Sequence, residues 1–97
     1  MTLHDDLIAA KKLIEDPKAW VKDQGDRVTC WCAMTACGSI APDDIYARNA
    51  MWDALRKQAP ARFDYVADYN DHRSTTHADI MALFDRAIDA IQSKDGG

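Results

Sequence analysis

The chain has 97 residues, of which 47% are hydrophobic and 29% charged, so it has room for one small domain and is too apolar for a disordered protein. Its formal net charge of -4 argues against a general nucleic-acid binder, which needs a basic face to neutralise phosphates. No run approaches the roughly 20 apolar residues that span a bilayer. With three cysteines and no stretch that has the form of a secretion signal, we expect a reduced, cytoplasmic protein.

The first predicted helix begins after Thr2 and ends at or just before Asp16. Thr2 and Asp5 have the form of a capping box, which satisfies backbone N–H groups at a helix start. Apolar residues then recur at helical spacing, namely Leu3, Leu7, Ala10, Leu13 and Ile14. Residues 17–29 contain Pro17 and Gly25 without a sustained period, which predicts a loop that includes about one helical turn.

Residues 30–38 are small and almost uncharged, a composition typical of a central helix buried on most sides. A third helix is predicted near 42–59, because Pro42 suits a first helical position and acidic residues follow it at the positive end of the helix dipole. Its predicted inward face consists of Ile45, Met51, Trp52, Leu55 and Ala59. Residues 63–69 are aromatic but too irregular to assign.

The last helix is predicted to begin after Thr76, which with Asp79 repeats the capping-box pattern. Its buried stripe is Ile80, Leu83, Phe84, Ala87, Ile88 and Ile91. A tail at about 94–97 should fray. Because no segment alternates long enough to form a strand, the sequence predicts a single all-α domain over residues 1–97, a small irregular bundle of four to five helices.

A polar loop at 69–79, flanked by aromatic residues, is the leading candidate for a functional surface. From residue 64 onward there are seven Asp against three basic residues, so this third of the chain would be drawn to a basic partner surface. The candidate binding residues are Tyr69, Asn70, Asp71, His72, Asp79, Asp85 and Asp89. The pattern favours a non-enzymatic inhibitor or accessory protein that binds an unidentified protein partner, without a cofactor or a membrane role.

Two variations of this hypothesis stay open. Carboxylates at phosphate-like spacing would make a DNA mimic. Half-exposed aromatic residues in so short a chain leave a homodimer open, since a second copy would bury the surplus.

The alternative, from a different class, is a small-molecule or hydrolytic site around Cys32. A thiol near a helix N-terminus has a lowered pKa, and a histidine can accept its proton. In this hypothesis Cys32 is the nucleophile and His72 the base, which is oriented by Asp71 or Asn70. Such a site usually places the histidine on a sheet, and no sheet is predicted.

A metal site is a further option with weaker spacing. It would combine thiolate and imidazole ligands from Cys30, Cys32, Cys37 and either His72 or His77. On a helix, however, Cys32 points away from the other two cysteines. The sequence therefore favours three small, buried thiols, with neither a metal ligand nor a catalytic residue assigned.

The tryptophans Trp20, Trp31 and Trp52 are predicted to anchor the core. A partly exposed Trp beside Arg48 or Arg56 would instead form a binding hot spot.

Several blocks of the sequence resemble a family of short bacterial and phage proteins of unknown function. These blocks are a Leu-Ile-Glu-Asp-Pro run at 13–17 followed by Trp20, a Trp-Cys-Ala helix start at 31–33, an aromatic-Asn-Asp loop at 69–71, and a Thr-capped last helix. The resemblance implies a phage- or prophage-encoded protein and no particular activity. It also implies one shared unit of core and loop, made of Trp31, Cys32, Asn70, Asp71 and Thr76.

Overall fold

Five α-helices follow one another in the protein, whose computed structural model describes residues 2–22 and 29–96, with side chains of the last helix described to Ile91. The helices are α1 (Leu3–Leu13), α2 (Ala33–Ile40), α3 (Ile45–Gln58), α4 (Val66–Asp71) and α5 (His77–Gly96), with a short 3₁₀ helix at Pro17–Ala19. Within the described residues there is no strand, only an isolated β-bridge between Trp20 and Trp31. The predicted all-α fold is therefore confirmed.

Two residues of the predicted loop and tail, Gly25 and Gly97, lie outside the described part of the chain. Fraying of the tail stays a prediction. Among the described residues, no helix combines the length and apolar character needed to cross a membrane.

The helices α1 and α5 begin and pack as their sequences predict. Thr2 Oγ1 accepts the Asp5 backbone N–H at 3.1 Å. At the start of α5, Thr76 N–H donates to Asp79 Oδ2 at 2.9 Å, and Asp79 N–H donates back to Thr76 Oγ1 at 3.2 Å. Both apolar stripes face the core, where the fully buried residues include Leu7, Ile14, Ile80, Leu83 and Phe84. The two helices pack against each other, and each also contacts α3.

The start of α3 differs from its prediction. The helix begins at Ile45, so Pro42 is not its first residue; Asp44 caps it instead by accepting the Ala47 N–H at 3.0 Å. Ile45 is 53% exposed, whereas Met51 is fully buried. Six residues separate them, which at about 100° per residue turns Ile45 about 120° away from the buried face. The predicted inward position of Ile45 was therefore wrong.

The central helix α2 also begins later than predicted, at Ala33. Cys32 is its N-cap: the Cys32 sulfur accepts the Thr35 N–H at 3.4 Å, and Thr35 Oγ1 accepts the Cys32 N–H at 3.0 Å. Ala33, Ala36 and Cys37 are fully buried, which confirms the predicted central position of this segment.

Helix α4 takes in the first residues of the predicted loop. Tyr69, Asn70 and Asp71 form its last turn, so the connection to α5 is only residues 72–76. Tyr69 is 8% exposed and lies against Phe63, with ring centroids 5.2 Å apart. This correction matters for the site, because a helix fixes these three side chains in different directions.

Candidate functional site

The Asn70 amide joins three parts of the chain in the interior. Its Oδ1 accepts the Trp20 indole N–H at 2.7 Å and the Ala33 backbone N–H at 3.1 Å. Its Nδ2 donates to the Val21 carbonyl at 3.2 Å and to Asp71 Oδ1 at 3.0 Å. Asn70 is fully buried. The side chain therefore holds α4 against the start of α2 and against the segment after the 3₁₀ helix, and it presents no polar group to solvent.

The three candidate binding residues on α5 differ in whether their carboxylates already bond to other groups of the protein. Asp79 forms the capping box with Thr76. Asp85 accepts a hydrogen bond from Lys11 Nζ at 2.7 Å, which ties α5 to α1. Asp89 is exposed, and no contact of its side chain is described. Two of the three carboxylates are thus engaged inside the molecule.

His72 lies just beyond α4 and is turned toward its own loop. Its Nδ1 is 2.7 Å from Ser74 Oγ, and its ring meets the edge of Phe63 with centroids 5.4 Å apart. Within the described residues, no hydrogen bond joins His72 to Cys32. The structure therefore does not bring the proposed nucleophile and base into contact.

The three described cysteines form no disulfide with one another, and they differ in burial. Cys32 and Cys37 are buried, while Cys30 is half-buried. Burial raises the pKa of the Cys37 thiol far above its ordinary value of 9.0, and the nearby Cys32 adds to this effect. Cys37 is thus a neutral core thiol. Among residues 2–22 and 29–96, no three His, Cys, Asp or Glu side chains are grouped to hold a metal ion.

A cavity of about 620 Å³ lies between α2, α3 and α4. This volume is within the range of roughly 300–1,000 Å³ that small-molecule sites occupy. The cavity is lined by Cys32, Met34, Thr35, Gly38, Ser39, Pro42, Arg48, Trp52, Ala67 and Asp71. It brings Cys32 and Asp71 of the predicted small-molecule site to one place, whereas Asn70 and His72 do not line it.

Arg48 and Trp52 lie one turn apart on α3, and they contribute a cationic group and an aromatic ring to the cavity wall. The Arg48 guanidinium carbon lies 5.3 Å from the centre of the Trp52 ring, a cation–π arrangement. Trp52 is held in turn by its indole N–H, which donates to the Met34 carbonyl at 3.2 Å. Trp52 is half-buried and packs against the core, with Arg48 beside it; a role of this pair in binding stays a prediction.

The Nε atom of Arg48 is buried and has no hydrogen-bond partner among the described residues. None of the described carboxylates forms an ion pair with Arg48 either. Leaving a buried donor unsatisfied costs about 1–3 kcal/mol, so such groups call for an explanation. Since Nε has almost no accessible surface, an acceptor that enters the cavity would meet the terminal Nη groups of Arg48, which form no ion pair with the described residues.

Two further polar groups of the wall are already partly used. The Trp31 indole N–H donates to Ser39 Oγ at 3.0 Å, which leaves the Ser39 hydroxyl hydrogen able to donate elsewhere. The Ala33 and Thr35 N–H groups at the start of α2 are taken by Asn70 and Cys32. The start of α2 therefore contributes its dipole to the cavity, but not these two donors.

Comparison with known proteins gives a family and no activity. A family model described as "Family of unknown function (DUF6197)" matches residues 1–90. No curated protein and no solved structure matches the chain. The resemblance to a family of unknown function is confirmed, while the bacterial or phage origin stays a prediction.

Proposed function

We propose that this chain, which belongs to the family of unknown function DUF6197, is a binding protein that holds a small organic molecule between α2, α3 and α4. The observation that carries this proposal is the Arg48 side chain, which lines a cavity of ligand size and forms no ion pair with the described residues. Apolar surface from Met34, Trp52 and Ala67 surrounds a few polar groups, the usual make-up of a ligand pocket.

Rigid support for the pocket also favours this role. The Trp52 indole is fixed by its hydrogen bond to α2, and Asn70 ties α4 to the start of α2. Walls held by such contacts need little ordering when a ligand enters, which preserves binding free energy. Hydrolysis has less support, because His72 points toward Ser74 and Cys32 serves as a helix cap.

A dye titration tests the pocket. The fluorescent dye anilinonaphthalene sulfonate is added to the native protein and to an Ala67→Phe variant, whose larger side chain would fill part of the cavity. We expect the variant to bind the dye at least about tenfold more weakly, because the ring and the dye would occupy the same space. Thermal unfolding must show that both proteins are folded, since partly folded states also bind this dye.

The matched control is Ala78→Phe, at an exposed position in the first turn of α5 and away from the cavity. It should bind the dye as the native protein does. Equal dye binding by Ala67→Phe and the native protein would contradict a ligand site in this cavity.

Protein binding is a second candidate, because large side chains are exposed outside the cavity. Tyr46 is 85% exposed and Tyr65 is 67% exposed, and tyrosines are enriched at interfaces. We expect a partner captured from lysate of the source cell to be lost with a folded Tyr46→Ser, Asp89→Lys variant. Retention of the same partner by this variant would count against these surfaces.

A further inference from the structure

We infer that the ligand is a small organic anion, whose carboxylate or phosphate oxygens accept the terminal N–H groups of Arg48 while its apolar body packs between Trp52, Met34 and Ala67. This inference rests on the proposed pocket and adds the chemical class of the ligand.

The position of Arg48 beside Trp52 leaves its donors available. The guanidinium carbon lies 5.3 Å from the centre of the Trp52 ring, within cation–π distance. All N–H bonds of a guanidinium point outward in its own plane, so a ring contact is compatible with hydrogen bonds to an acceptor. The planar group matches the paired oxygens of a carboxylate or phosphate.

The charge of Arg48, which none of the described carboxylates pairs, argues for an anionic acceptor. A charged donor shielded from water forms stronger hydrogen bonds than an exposed one, and the gain is largest when the acceptor carries the opposite charge. The Ser39 hydroxyl, which already accepts the Trp31 N–H, can supply a second donor at the same wall. The positive end of α2 adds a smaller favourable field.

One carboxylate of the wall opposes an anion. Asp71 lines the cavity, and its Oδ1 accepts the Asn70 amide. Because like charges repel, Asp71→Asn should strengthen the binding of an anion while it retains an oxygen for Asn70. Tighter binding by Asp71→Asn than by the native protein would therefore indicate a negatively charged ligand.

The apolar body of the ligand is inferred from the other residues that line the cavity. Trp52 offers a ring, and Met34 offers a flexible side chain that adapts to irregular shapes. Gly38 has no side chain, and a Cβ at this position would lie 3.8 Å from Arg48 Cδ, an ordinary contact. A flat aromatic or aliphatic acid would fill this volume better than inorganic phosphate.

Two dyes with similar aromatic bodies separate charge from shape. Anilinonaphthalene sulfonate carries an anionic group, and phenylnaphthylamine lacks it. Each is titrated into the native protein, Arg48→Gln, Arg48→Lys, Asp71→Asn and the control Arg56→Gln. Arg56 is an exposed residue of the same helix that pairs with Asp53, so its replacement removes the same charge outside the cavity.

For the anionic dye we expect binding about tenfold weaker or more with Arg48→Gln, because a hydrogen bond between charged groups is lost. Arg48→Lys should also weaken it, since lysine keeps the charge but lacks the planar donor. Arg56→Gln should bind it normally, and Asp71→Asn should bind it more tightly. The neutral dye should bind all five proteins alike.

Competition then identifies the anionic group. Benzoate and phenyl phosphate are each added to the dye-bound protein. The compound that displaces the dye at the lower concentration shows whether a carboxylate or a phosphate is preferred. If neither displaces the dye, or if Arg48→Gln and Arg56→Gln bind the anionic dye equally, the anion inference is overturned. In that case a loss of both dyes with Ala67→Phe would leave the pocket standing, whereas no loss would overturn the pocket as well.

Discussion

Replacing Asn70 with alanine is expected to lower the free energy of unfolding by roughly 3–5 kcal/mol, since one buried and two partly buried groups lose their partner at once. The Trp20 indole N–H and the Ala33 amide N–H lose their acceptor, and the Val21 carbonyl loses its donor. Domains of this size are stable by only about 5–15 kcal/mol, so the change is a large part of the total.

Chemical denaturation of the native protein and Asn70→Ala measures this effect. The control is Asp68→Ala, an exposed position on the same short helix, which should cost no more than about 0.5 kcal/mol. An Asn70→Ala protein as stable as the Asp68→Ala protein would show that the hydrogen bonds around Asn70 do not hold the helices together.

The second large effect is a loss of stability at alkaline pH that depends on Cys37. Burial raises the pKa of this thiol in the folded protein, whereas the unfolded chain exposes a thiol that ionises near its ordinary value of 9.0. Above that pH the unfolded state binds fewer protons than the folded state, so stability falls as pH rises. The stabilisation is fully present below pH 9.0. The loss should reach roughly 2 kcal/mol between about pH 8.5 and pH 10.5.

Other thiols and tyrosines also ionise in this pH range, so the informative quantity is a difference between two proteins. Unfolding free energies are measured against pH for the native protein and for Cys37→Ala. The variant starts from lower stability because its smaller side chain leaves a gap, but its pH profile should be flatter. Parallel profiles would mean that the Cys37 thiol is not protected from ionisation.

Asn70 and Cys37 are buried and do not line the cavity, whereas Arg48 and Trp52 do. Asn70 is fully buried and sets the position of α4 against α2. Arg48 lines the cavity and pairs with none of the described carboxylates. The distinction guides mutagenesis: changes at Asn70 report on folding, and changes at Arg48 report on binding.

Features that depend on local sequence were predictable from the residues. Helix α5 begins with a capping box formed by Thr76 and Asp79, and α1 begins with the N-cap half of that pattern, in which Thr2 accepts the Asp5 N–H. Pro42 misled the prediction for α3, since Asp44 offers a competing local signal and caps the helix two residues later. Local signals thus predict the existence of a helix more reliably than they predict its first residue.

The role of Asn70 depends on distant residues, so local reasoning missed it. Its partners Trp20 and Ala33 lie 50 and 37 residues earlier in the chain. An Asn-Asp pair is by default a turn former, and no propensity indicates which Asn will be buried. The resemblance had grouped Asn70 with the Trp31-Cys32 segment, and the bond from Asn70 to Ala33 agrees with that grouping.

The site was predictable only in parts. The sequence left open whether Arg48 or Arg56 lies beside a partly exposed Trp, and the structure has Arg48 beside Trp52. The cavity itself arises from the packing of three helices, with Cys32 and Asp71 contributed from separate segments. Charge composition pointed instead to Asp79 and Asp85, which the structure uses for a helix cap and a bond to Lys11. Composition does not reveal such internal pairing.

The nuclear magnetic resonance signal of the Arg48 guanidinium N–H groups offers the most direct test of anion binding. The signal is assigned by its absence in Arg48→Lys, and benzoate is then titrated into the native protein. We expect the signal to move downfield and saturate together with the Trp52 indole signal, because anionic oxygens accept guanidinium hydrogens. An unmoved Arg48 signal, while benzoate saturates signals elsewhere, would contradict an anion site at Arg48.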